Sequence, residues 1–415
     1  MGLNRHTVDA FSLPAVVVIS ALVMMLIVFA FSLKTLDFHN HGLYSDLKQA
    51  RLDLHSATAL YMCDSTVIGG ADSVYVNLYD EGEDAVVIGR QRWGMYESVF
   101  IRHSKDDPFA KRYMMGRKAE SPYRAAFWLC DRNRALTLGG GTSISGPVYV
   151  PYNGVTYSEI GDRKFQGALI SSDRLKLSNR YLPELSLESE IYLDSLKGMS
   201  NQSIDYRSVP GAGQYRSFEE PTIYAHCHAP GRVEFHLNGN VVLFGERLIL
   251  SGKSDVHDIM IFARSVIIED GFRGSAQIFC EDTVRIGANV RLEYPSGAVV
   301  DASGFDFPYI AVEEGSQVNG YLGIINGEKD YYVQEKPNFK MRCNSLVRGL
   351  VYMDGLCDIA GSIKGAAYVR DCFYRDSRST YVGTLYDVSI DREDSLAFPL
   401  LLDGPYRRKI IKNLY

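Results

Sequence analysis

The chain has 415 residues, with 44 Lys and Arg against 50 Asp and Glu, and its net charge of −6 is spread along the sequence rather than blocked. Nothing forms the basic footprint that phosphate binding requires, so nucleic acid is excluded as an expected partner. The 27 Tyr and 19 Phe against 2 Trp, with 37 Gly, favour β structure with many turns.

The first element is apolar. No charged residue occurs between Asp9 and Lys34, and at about 1.5 Å per helical residue such a run crosses a hydrocarbon core of roughly 30 Å. A secretory signal has a core of only about 7 to 15 residues followed by a small-x-small site. Around Val28-Phe29-Ala30 no polar region follows, so the segment reads as a retained transmembrane helix over 11–36. No Cys precedes Cys63, which excludes a lipoprotein signal. Next, Leu43, Leu47, Ala50, Leu54, Ala57 and Tyr61 recur at intervals of 4, 3, 4, 3 and 4, which lines up one face of a helix. This predicts an amphipathic stalk over 37–62, with Asn40 and Gly42 marking a break before it. An ordinary juxtamembrane helix packed on its own domain fits the same spacing, and both readings stay open.

These residues carry a resemblance. A short leader over 1–10 with Arg5, then Ala10-Phe11 in DAFSLPAVVV, then an apolar helix running into an amphipathic one, resembles the N-terminus of type IV pilins and type II secretion pseudopilins. The resemblance implies cleavage between Ala10 and Phe11 on the cytoplasmic side, methylation of the new N-terminus, and pilin-like or secretion-system subunits as partners beside membrane lipid. The chain departs from the family at Ala15, where a Glu is usual; certain minor, tip-located subunits lack it too. The flanking charges of Arg5 on one side and Lys34, Lys48 and Arg51 on the other lean against an N-terminus inside. The leader, however, requires that orientation, which places a large C-terminal domain outside the cytoplasmic (inner) membrane.

Beyond the stalk, Asp72-Ser-Val-Tyr-Val-Asn-Leu-Tyr, Asp84-Ala-Val-Val-Ile and Glu97-Ser-Val-Phe-Ile alternate like strands, predicting a small β-subdomain over 63–135. From 136 to 415 the sequence repeats. Leu243-Phe244-Gly245-Glu246-Arg247-Leu248-Ile249-Leu250 is echoed from Ile261 and, with one residue inserted, from Ile278, 18 and 17 residues apart. An apolar-x-Gly-x-x-aromatic pattern appears at Val347–Tyr352, Ile363–Tyr368 and Tyr381–Tyr386, and more loosely at Ile144–Tyr149 and Phe165–Ile170. Short strands recurring with the perimeter of a coil, with Gly at its corners, predict a β-solenoid. A β-sandwich also has frequent strands, but gives no reason for one six-residue pattern to return a turn later. The expected class is therefore mostly β: a transmembrane helix plus amphipathic stalk, then a small β-subdomain and a β-solenoid. The last portion resembles the right-handed β-helix of the bactofilin and polysaccharide-lyase type.

Candidate chemistry is sparse. Lyases and hydrolases on that fold gather carboxylates on one sheet, whereas Asp301 and Asp306 are five apart around Gly304 and read as solvated loop carboxylates. His226 and His228 share a side if their segment is a strand, with His236 near in sequence. Zinc wants three or four ligands at fixed geometry, so the spacing supports the pair alone, and a polar strand face is the simpler reading. The seven cysteines form no CxxC. Cys63 and Cys130 bracket the small subdomain and are the first pair to test as a disulfide; Cys357 and Cys372 fall at equivalent positions of adjacent turns. The basic C-terminus, Pro405–Tyr415, fits either a cap on the solenoid or a contact with lipid headgroups. The expected function is structural, without cofactor or catalysis. The alternatives are a surface carbohydrate-binding or carbohydrate-cleaving domain and a self-associating bactofilin-like scaffold.

Overall fold

The computed structural model describes residues 12–414 apart from 64–71, 80–84, 104–109, 121–122, 212, 229–230, 302–306, 326–335 and 406. It is mostly β, behind one long N-terminal helix, α1 (Ser12–Cys63). α1 runs unbroken through Asn40 and Gly42, where the sequence suggests a break. One glycine costs a helix only about 1 kcal/mol, and Gly42 has open space around it.

The first half of α1 is long and apolar enough to span a membrane and is exposed throughout. Its last turns bury Ala50, Asp53, Leu54, Ala57 and Tyr61, while Leu43 and Leu47 stay exposed. The amphipathic face is thus seated on the chain's own domain. It packs against an antiparallel sheet of β1 (Ser73–Asn77), β2 (Ala85–Trp93), β3 (Tyr96–His103) and β4 (Ala110–Arg117), meeting Val86, Ile88, Val99, Ile101 and Met115. The fifth strand of that sheet is Arg408–Asn413, paired antiparallel with β4. The C-terminus is therefore neither a cap on the repeats nor a free basic tail.

The rest of the chain is built of strands stacked in parallel. Leu243 lies opposite Ile261, Ile261 opposite Ile278, Ile278 opposite Ala298, and Ala298 opposite Leu322. Leu322 then faces Val351, and Val351 faces Ala367. All point to the interior and are wholly buried, each worth about 1.5–3 kcal/mol for a large aliphatic side chain. The residue inserted in the third sequence repeat appears as a register shift between Ala263 and Ser265 against Cys280 and Thr283.

The order of the turns is not the order of the sequence. Ala367 pairs with Phe127, Phe127 with Val148, and Val148 with Leu175. The chain enters the stack at Phe127, two strands short of one end, and winds outward to Leu177. It then returns along the flank through the helix α2 (Leu187–Lys197), re-enters at Ile204 beside Ala225, and winds back to Asp391 beside Ser145. The parallel strands of 136–415 are thus not stacked in chain order, and Phe127–Leu129, placed by sequence in the small subdomain, belongs to the stack.

The glycines of the second repeat form a ladder. Gly320 lies opposite Gly349 and Gly349 opposite Gly365, with φ of 143°, 141° and 137°. A Cβ on Gly349 would stand 1.8 Å from the Gly320 carbonyl oxygen. Gly383, the third copy in the sequence, is off this ladder: it follows Thr380–Val382, which pairs antiparallel with Phe373–Arg375. Replacing Gly349 by Ala is expected to cost at least about 3 kcal/mol, since both φ and space forbid a side chain. Gly42→Ala should leave stability equal or slightly raised. Thermal unfolding of the two variants checks the contrast.

Candidate functional site

Alternate residues of the stacked strands point outward, and on one wall these are apolar too. They form a second cluster that includes Val242, Phe244, Met260, Phe262, Phe279, Tyr321, Leu350, Tyr352 and Tyr368. Over its middle the wall is covered by the β2–β3 turn, by α2 and by the segment Leu396–Leu402. The cover is fixed by polar contacts. Gln277 donates to the Trp93 carbonyl at 2.9 Å and accepts from the Met95 amide at 2.8 Å. The Tyr321 hydroxyl joins the same Gln277 oxygen at 2.9 Å, and the Trp93 indole donates to the Asp258 carbonyl at 3.0 Å.

One outward column runs the length of the wall. Starting from Asp205, each residue lies opposite the next: His226, Phe244, Phe262, Phe279 and Val299. It continues through Gly323, Tyr352, Tyr368, Trp128, Tyr149 and Lys176. The column passes unbroken across the point where chain order is permuted. Its rings stack: Phe262 on Phe279 at 4.9 Å, Trp128 on Tyr149 at 4.5 Å, and Trp128 near Tyr368 at 6.1 Å. Where the cover is centred the column narrows to Gly323, above which Leu401 lies.

Beyond the cover the column opens into a groove at each end. One, of about 530 Å³, lies beneath Leu193 and Lys197 and is floored by Phe244, Phe262 and Phe279, with Glu246, Arg264, Glu281 and Asp301 beside them. The other, of about 640 Å³, is floored by Trp128, Tyr149 and Tyr368 and edged by Arg124, Asn179, Tyr181 and Glu184. Charges flank the column: Glu246 pairs with Arg264 at 3.9 Å, Lys197 with Asp301 at 3.2 Å, and Arg370 with Asp354. Asp301 thus ends a strand and holds α2 to the wall; it is not a solvated loop carboxylate. Asp306 lies outside the described residues.

Of the residues singled out in the sequence, His226 joins the column and its ring lies 4.0 Å from that of His228. Burial, and next the neighbouring His228, lowers the His226 imidazole below its ordinary range. His236 starts a strand in a separate three-stranded sheet. Among the described residues no three His, Cys, Asp or Glu side chains are placed to hold a metal. Ala10 and Phe11 lie outside the described residues. All seven cysteines are thiols, Cys63 exposed at the end of α1 and Cys130 buried beside the stack. Burial, which disfavours the thiolate, pushes Cys130 up to about 12. Cys357 and Cys372 lie opposite each other on adjacent turns, both buried, and burial raises both.

The sequence patterns contain the column without revealing it. Tyr149, Tyr352 and Tyr368 are the aromatic ends of the second repeat, and Phe244, Phe262 and Phe279 the second residues of the first. That they are one line is legible only from register. Trp128 sits in Phe127-Trp128-Leu129, which matches neither pattern. No family model, no characterised protein sequence and no solved structure matches this chain.

Only Cys63 and Cys343 are exposed among the seven cysteines. Titration of the native protein with an aromatic disulfide reagent should therefore show two fast thiols, and seven after denaturation. Blocked peptide mapping under non-reducing conditions should recover Cys63 and Cys130 on separate peptides.

Proposed function

We propose that this chain is a non-enzymatic, membrane-anchored subunit of pilin or pseudopilin type. Its structural or assembly role is to display a β-solenoid, a right-handed β-helix, outside the cytoplasmic membrane. The observation that carries the reading is α1: one unbroken helix of 52 residues, apolar and exposed in its first half and clamped to an antiparallel sheet in its second. The parallel register, with each strand bonded to the one a turn later, supports the solenoid.

The clamp makes the anchor and the displayed domain one rigid piece. The Tyr61 hydroxyl donates to Glu97 at 3.3 Å, and Arg408 lies over the Tyr61 ring at 3.9 Å while its guanidinium donates to the Tyr61 carbonyl at 3.0 Å. Arg408 also pairs with Glu97 at 3.7 Å. The end of the helix, a sheet strand and the C-terminal strand are thereby tied at one point. A subunit that transmits force or position between a membrane and a display domain needs such a joint. The second reading, a surface carbohydrate-binding protein, is favoured by the aromatic column and its charged flank.

The leader is the test. In cells with an active prepilin-type peptidase, mass spectrometry of the membrane-extracted protein should find a chain beginning at Phe11, and Ala10→Arg should block processing without releasing the protein. A mature chain that still carries Arg5 would remove the pilin-type reading. Deleting residues 1–36 should give a soluble, largely β protein, because Ala50 to Tyr61 remain to cover the sheet. A truncated chain that still pellets with membranes would show a second attachment.

A further inference from the structure

We propose that the two ends of the strand stack dock head to tail, so that copies of this chain join in an open-ended row. The inference uses the stacked strands alone and does not depend on the pilin-type reading. At one end the last strand, Leu175–Leu177, pairs with Val148–Val150, and at the other Ile204–Asp205 pairs with Ala225–His226. Among the described residues each is bonded along one edge only, and an unpaired strand edge is a template for another chain.

The inward side chains at these ends are uncovered. Leu177 lies opposite the buried Val150 yet is 66% exposed, and Ile204 lies opposite the wholly buried Ala225 yet is 41% exposed. Terminal turns of stacked repeats ordinarily carry a polar outer face. A second copy that continues the parallel register by one strand sets Leu175 opposite Ile204. It also brings Leu177 over Tyr206, which already packs on the core residue Phe235 with ring centres 5.3 Å apart. The apolar interior then runs on from copy to copy.

Charge fixes the direction. The outward column begins at Asp205 and ends at Lys176, and neither makes an ion pair among the described residues. One Asp205 oxygen accepts from the Arg207 amide at 2.8 Å, which leaves the other open, and the Lys176 ammonium lies 5.6 Å from the Tyr149 ring centre. Head-to-tail stacking sets that lysine opposite that aspartate. Joining two Lys176 ends, or two Asp205 ends, would instead bring like charges together across the new pair, which is destabilising. Both edges are short, so a single contact is reversible.

The full-length protein in detergent is followed by sedimentation velocity at low salt from about 1 to about 100 µM, a range suited to a small contact. A concentration-dependent series of species above the single copy is expected, and about 0.5 M salt should weaken it because the Lys176–Asp205 pair lies at the surface. Lys176→Asp and Asp205→Lys should each move the association to concentrations at least about tenfold higher, and the double variant Lys176→Asp/Asp205→Lys should restore it. Asp205→Asn, which keeps an acceptor for the Arg207 amide, separates loss of charge from loss of the turn, and circular dichroism checks that each variant is folded. With the exposed Cys63 and Cys343 replaced by Ser, a short bis-maleimide should join the variant Lys176→Cys/Asp205→Cys into ladders. A single species at about 100 µM overturns the proposal, as does association unaltered in both charge-reversed variants or not restored in the double one. Dimers formed by Lys176→Cys alone would show a symmetric contact and overturn it too.

Discussion

The architecture depends on one constraint: the wall of stacked strands is apolar on both faces. The inward face buries itself when the turns close, but the outward face must be covered by something else. In this chain the β2–β3 turn, α2 and Leu396–Leu402 do so. The polar atoms that such a cover strands are gathered onto Gln277, which satisfies a carbonyl and an amide of the β2–β3 turn and meets the Tyr321 hydroxyl. A buried amide that meets its partners at both ends fixes the register of the cover as well as holding it down, because a slip would leave several groups unpaired at about 1–3 kcal/mol each.

The permuted winding brings the two flanks of the stack together. Chain segments enter at Phe127 and leave after Asp391 on adjacent turns, so their flanks emerge side by side. β4 and Arg408–Asn413 are those flanks, paired antiparallel, and the Arg117–Phe398 bridge closes the seam between them. Lys412 reaches from this sheet to Asp258 on the stack, where the Tyr215 hydroxyl also donates at 3.0 Å. The sheet carrying α1 is therefore joined to the middle of the stack by both ends of the domain, and α1 inherits a fixed direction relative to the stacked strands.

The sequence discloses what is local. The uncharged run from Phe11 and the spacing of Ala50, Leu54, Ala57 and Tyr61 reveal α1 and its buried face, because 3.6-residue periodicity is a property of one segment. Repeats at 17 and 18 residues reveal, for the same reason, which strands pair in parallel. The order of turns is not local: nothing near Phe127 states that its neighbour is Ala367, so the permutation and the shared terminal sheet are invisible. Likewise Gly320 was hidden because an aromatic does not stand three residues on; Gly323 does, since Leu401 of the cover occupies that space. Gly383 matched the pattern by letters alone, being followed by Tyr386 but turned with φ 69° rather than near 140°. The three histidines divide in the same way: His226 lies in a strand and stacks on His228 just beyond it, while His236 enters another sheet.

The extent of the cover sets how deeply each ring of the column is buried. Tyr352 is capped by the chain itself, its hydroxyl donating to the Pro183 carbonyl at 3.0 Å, and Phe244, Phe262 and Phe279 lie under α2 with little exposure. These rings gain full burial, so their aromatic character follows from packing alone. Trp128 and Tyr149 do not: a half-open Trp against a half-open Tyr gains only part of that burial, and Lys or Thr would fill an outward strand position at less risk of association. The column stays aromatic for two strands beyond Tyr368, where Trp128 and Tyr149 stack on each other beside the polar residues of the 179–184 return. Packing accounts for the column up to Tyr368, and the stacking of Trp128 on Tyr149, closed by the Lys176 ammonium over the Tyr149 ring, carries it to its end.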